Sequence, residues 1–123
     1  MGRSLLKLLL ALEPDLTLDD LDARECNYCI AFGVAAAYWK IDLQAATSGY
    51  LQSWVANLVS AGVKLIPLGQ TQGQQIIVEL GAAIAHCSDR VLGWSDEEIE
   101  SNSWGMQMAS MGHETLYSRV FRS

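Results

Sequence analysis

The sequence predicts an all-α protein, a bundle of about five to six helices in one domain over residues 1–123. Apolar residues recur every three or four positions along residues 43–65, as on one face of an α-helix. The prolines and glycines stand far enough apart to end helices rather than the shorter strands of a sheet. The chain has no internal repeat, and its 123 residues suit one modest hydrophobic core.

End signals and composition predict the first two helices. The first covers residues 4–12, with Ser4 as N-cap and Pro14 marking its end, because proline cannot continue a helix. An acidic connection follows. The second covers residues 26–40, where Gly33 and several alanines would let another helix approach closely. We therefore expect the second helix to be central.

The third helix, over residues 43–65, has the clearest pattern. Its predicted apolar side carries Leu51, Val55, Leu58, Val59, Gly62, Leu65 and Ile66. Its polar side carries Ser53, Asn57, Ser60 and Lys64. We expect Lys64 to face solvent or a partner.

A corner follows at "VKLIPLGQTQGQQ", residues 63–75. Pro67 ends the third helix, because the residue before a proline is pushed out of the α region, and Gly69 permits a sharp change of direction. We expect a fourth helix over residues 70–89. Its predicted inward residues are Gly73, Ile76, Ile77, Leu80, Ala83, Ile84 and Cys87, and its polar stripe is Gln72, Gln75, Glu79 and His86.

The last third of the chain has weaker helix signals. Ser95 and Glu98 have the spacing of a capping box, which predicts a short acidic helix. Residues 103–119 are compatible with a helix that has Trp104, Met108 and Met111 on one side. Two glycines in that segment weaken it. We expect its order to depend on a partner.

Composition excludes several classes of function. The chain is 50% hydrophobic and only 18% charged, which predicts surplus apolar surface that meets another chain. A net charge of −6 argues against binding to nucleic acid or to an anionic membrane. The apolar runs fall short of the roughly twenty residues of a transmembrane helix. Without a signal peptide, three cysteines indicate reduced thiols. We expect a soluble, cytoplasmic protein.

Cys26 and Cys29 have the spacing of a thiol redox motif or of half a zinc site. A structural zinc site needs a second matching pair, and only Cys87, His86 and His113 remain. We therefore favour two cysteines in a helical core over a metal or redox site.

No catalytic or cofactor motif stands out. His113 and Glu114 are adjacent, and adjacent helical residues do not face each other as an acid–base pair would require. The segment "GQTQGQQ" lacks the preceding strand and the lysine of a phosphate-binding loop. The sequence thus predicts no enzyme activity, no cofactor and no bound metal.

Residues 50–75, "YLQSWVANLVSAGVKLIPLGQTQGQQ", resemble the central signature of the urease accessory protein UreF family. Three further stretches are similar to this all-α family in the same order along the chain. They are "MGRSLLKLL", "CNYCIAFGVAAA" and "ASMGHETLYSRVFRS". The resemblance covers the C-terminal half of the family, whose chains are about twice as long and carry an N-terminal helical portion not found here.

The resemblance implies an assembly role. UreF proteins join UreD, also called UreH, and recruit the GTPase UreG to deliver nickel to the urease apoprotein. The nickel and GTP chemistry would belong to these partners, and we expect this chain to form a homodimer. By the same resemblance, the corner would contact the GTPase through Lys64, Pro67, Gly69 and Gln70. The tail would serve complex formation through His113, Glu114, Tyr117, Arg119, Phe121 and Arg122.

Two other functions remain open from the residues alone. One is a helical interaction module that self-associates through its apolar face and has no urease role. The other is a small metal or thiol protein built on Cys26 and Cys29.

Overall fold

The computed structural model describes residues 2–17, 26–99, 103–113 and 115–117. Within these ranges the chain forms six α-helices, one short 3-10 helix and no strand, which confirms the predicted all-α class. The α-helices are α1 (Gly2–Leu12), α2 (Tyr28–Tyr38), α3 (Leu43–Leu65), α4 (Gln70–Glu79), α5 (Gly81–Leu92) and α6 (Trp104–His113). The 3-10 helix, Asp96–Glu98, lies between α5 and α6.

The packing of α1 on α2 supplies much of the buried core. Leu6 is only 2% exposed and packs in a cluster with Cys26 and Ala31. Gly2 lies so close to the backbone of residues 26 and 27 that any side chain there would collide with it. Helix α1 begins at Gly2, so Ser4 lies in its first turn and is not the predicted N-cap.

The first residue of α2 is Tyr28 rather than residue 26. Asn27 caps the helix, because its side-chain Oδ1 accepts a hydrogen bond from the Ile30 N–H at 2.9 Å. Cys26 therefore lies before the helix.

A left-handed residue ends α2. The φ angle of Lys40 is 54°. Its N–H donates to the Ala37 carbonyl at 3.1 Å, and the Ile41 N–H donates to the Ala36 carbonyl at 2.8 Å. These two bonds form a Schellman motif, in which the left-handed position is usually glycine. They close α2 at Tyr38, two residues before the predicted end.

The Glu13 carboxylate joins the C-terminal ends of α1 and α2. Its Oε2 accepts from the Tyr38 hydroxyl and its Oε1 from the Trp39 indole N–H, each at 3.1 Å. The hydrogen bond to Glu13 is the main reason why the pKa of Tyr38 is raised, with desolvation second. One side chain thus holds the C-terminal ends of the two helices together.

Helix α3 has the predicted bounds, and it is the central helix instead of α2, because it packs against α2, α4 and α5. Asp42 caps it by accepting from the Ala45 N–H at 3.2 Å. The predicted apolar side is only partly covered. Its half-buried members are Leu51, Val55, Val59 and Gly62, whereas Leu58, Leu65 and Ile66 are exposed, which corrects the prediction. No residue of α3 is fully buried.

The predicted fourth helix is two helices, because the chain breaks at Leu80. The Leu80 N–H bonds back to Ile76 and Val78, and α5 begins at Gly81. Gly73 and Ile84 are buried as predicted, but Leu80, Ala83 and Cys87 are exposed, so their predicted inward positions are wrong.

Polar contacts fasten α5 to α3. Ser88 is completely buried, and its hydroxyl lies 3.1 Å from that of Ser48. The Gln44 amide donates to the Asp89 carboxylate at 2.6 Å. Sequence periodicity could not predict Ser88 as a core residue, because a serine signals burial only when its partner is known.

The last described segments are short. Glu98 accepts from the Ser95 N–H at 2.8 Å, so the predicted capping interaction is present, but it begins a 3-10 helix of three residues. Helix α6 ends at His113, six residues before the predicted end. It contacts none of the other described helices. Among the described helices, none is long and apolar enough to cross a membrane.

Replacing Lys40 by glycine tests the left-handed C-terminus of α2. Lys40→Gly should raise the free energy of unfolding by about 0.5 kcal/mol, because glycine removes the strain of φ 54° but loses more freedom on folding. The measurement is urea unfolding followed by circular dichroism. Ala37→Gly, on the same helix with ordinary geometry, is the control and should destabilise by about 1 kcal/mol. A lower urea midpoint for Lys40→Gly would contradict the assignment.

Candidate partner-binding corner

The predicted corner joins the C-terminus of α3 to the N-terminus of α4. Lys64 lies in the last turn of α3, Pro67 and Gly69 lie between the helices, and Gln70 begins α4. All four residues are exposed. The structure therefore brings the four predicted corner residues together at one end of the α3–α4 pair.

Backbone hydrogen bonds fix the turn. The Ile66 N–H donates to the Gly62 carbonyl at 2.8 Å and ends α3. The Leu68 N–H donates to the Ile66 carbonyl at 2.7 Å, which makes a three-residue turn centred on Pro67. The direction of the chain thus changes within the few residues around this proline.

Gly69 is the N-cap of α4, but the turn does not use the conformational freedom of glycine. Its φ is −70° and its ψ is 153°, values open to any residue. Its N–H donates to Gln72 Oε1 at 3.0 Å, so the glutamine side chain satisfies an N-terminal donor. The prediction that Gly69 permits the change of direction is therefore wrong in mechanism.

The glycine that the corner needs is Gly73, one turn into α4. A Cβ atom there would lie 2.8 Å from Val63 Cγ2 and 3.3 Å from Val59 Cγ1. Because the valine side chains are stiff, this contact leaves no room for a methyl group. The absence of a side chain at Gly73 sets how closely α4 packs on α3.

A small recess opens beside this contact, and we call it the α3–α4 notch. Its volume is about 160 Å³. Its apolar wall consists of Ala56, Val59, Val63, Gly73 and Ile77, and its polar rim consists of Ser60, Lys64, Gln70 and Gln74. The corner therefore presents one ammonium group, one hydroxyl and two amides around a shallow apolar floor.

The predicted tail residues are only partly described. His113 is the last residue of α6 and is exposed, and Tyr117 is 94% exposed. Glu114, Arg119, Phe121 and Arg122 lie outside the described residues. Helix α6, which ends with His113, contacts neither α3 nor α4.

The cysteine pair does not form the predicted shared core. Cys26 is buried, whereas Cys29 is exposed and its Sγ lies 2.7 Å from the Tyr50 hydroxyl. That contact, followed by desolvation, raises the pKa of Tyr50 to about 12. Among the described residues, no three histidine, cysteine or acidic side chains are grouped closely enough to hold a metal ion.

Comparison with known proteins decides the family. A family model described as UreF matches residues 1–81, which include the whole corner. A urease accessory protein UreF from Nostoc sp. is 50% identical over 124 aligned residues, which cover all of this chain and 54% of that protein. This chain belongs to the UreF family. A UreF protein from Synechocystis sp. is 51% identical and one from Alkalilimnicola ehrlichii is 37% identical, and both alignments also cover the whole chain.

The chain spans about half the length of the curated UreF proteins that it matches. The family is named for an accessory role in relation to urease and not for an enzyme activity. The corner falls inside the part matched by the UreF family model, whereas the tail lies beyond residue 81.

Sequence reasoning missed a larger groove between α2 and α3 in this UreF chain. Its volume is about 370 Å³, and its lining includes Cys29, Phe32 and Tyr50. The sequence feature that could have predicted the groove is the run of small residues in α2, which we interpreted as the site of a close helix contact. No atom lies within 4 Å of a Cβ placed on Gly33, so at this position the small residue leaves open space.

Paired glycine substitutions test the close α3–α4 contact. Gly73→Ala should destabilise this UreF chain by about 1–2 kcal/mol, because overpacking against the two valines outweighs the gain in helix propensity. Gly62→Ala on α3 is the matched control. Nothing lies within 4 Å of its new methyl group, so it should stabilise by up to about 1 kcal/mol. Urea unfolding measures both, and equal stabilisation would disprove the contact.

Proposed function

We propose that this chain is a urease-maturation scaffold that joins UreD (UreH) and recruits the GTPase UreG for nickel insertion into the urease apoprotein. The observation that carries the proposal is the alignment of UreF proteins over the whole chain at up to 51% identity. In this proposal the chain acts in the cytoplasm and corresponds to the C-terminal half of the family. It binds no cofactor of its own.

The corner is the proposed contact for UreG. Lys64, Pro67, Gly69 and Gln70 are all exposed. The backbone that carries them is held in place by the hydrogen bonds of the turn and by the close contact of α4 with α3 at Gly73. A surface of this kind loses little conformational entropy when it binds, because it is already ordered. The geometry therefore favours a docking platform for a folded protein.

The tail is the proposed contact for the wider complex. Trp104, Met108 and Met111 are 70–72% exposed on a helix that contacts no other described helix. Large apolar side chains of this kind are enriched where proteins bind each other. We propose that His113, Tyr117 and the residues that follow, Arg119 above all, serve assembly with UreD and UreG.

Self-association is the second candidate function, and the exposed surface favours it. Large apolar side chains stay exposed on the described helices, among them Leu43, Leu65 and Val78, which are 68–78% exposed. Such side chains are enriched where proteins bind each other. We propose a homodimer, and the same surface is compatible with a module that has no urease role.

Removing the corner cation tests the UreG contact. Lys64→Ala should lower the yield of UreG about tenfold or more when the chain is co-purified with UreD and UreG of the same organism, because a charge at a docking surface is lost. Retention of UreD shows that the variant is folded. Lys7→Ala removes an exposed cation from α1 and is the matched control. Undiminished UreG recovery with Lys64→Ala would exclude the corner as the contact.

Arg119→Ala tests the tail separately. We expect assembly with UreD and UreG to be impaired, because arginine is a frequent hot-spot residue, while the helical circular dichroism spectrum stays unchanged. Size-exclusion chromatography with light scattering measures the complex. A ternary complex formed in wild-type yield would remove Arg119 from the proposed site. If the unmodified chain forms only its own oligomer beside both partners, self-association becomes the better function.

A further inference from the structure

We draw no further inference here: the strongest candidate, the apolar groove between α2 and α3 that Phe32, Tyr50 and Cys29 line, is an unpartnered face of the described chain, and nothing in the structure shows what covers it.

Discussion

The close approach of α4 to α3 at Gly73 is the constraint on which the corner depends. A glycine at this position lets α4 lie against Val59 and Val63, and backbone bonds around Pro67 form the turn that joins the two helices. Because α3 also packs against α2 and α5, the position of the corner is tied to the central helix of the chain. The exposed residues of the corner therefore stand on a supported backbone.

The buried residues are unevenly distributed among the helices. The contact of α1 with α2 contains Leu6 and Leu9, which are nearly inaccessible, whereas α3 has no fully buried residue even though three helices pack on it. The exposed apolar residues of α3, among them Leu58 and Leu65, therefore gain little free energy from burial within the described chain.

The sequence predicted the features that depend on local chemistry. The bounds of α3 agree with Pro67 and the 3.6-residue period, and the corner lies where the proline and glycines predicted it. Predictions that depend on neighbours were less successful. Periodicity indicates which residues are apolar, but it does not indicate whether the covering surface belongs to the same chain, so Leu58, Leu65 and Cys87 were expected to be buried. The break at Leu80 and the burial of Ser88 likewise depend on packing.

Helix α3 is about 35 Å long, and α4 and α5 together return along almost the same length. The two ends of this return path are held by different kinds of contact. Near the corner, α4 lies against Val59 and Val63 at Gly73, whereas at the far end the Gln44–Asp89 and Ser48–Ser88 bonds join α5 to α3. A substitution that disturbs the apolar contact at one end therefore leaves the polar contacts at the other end in place.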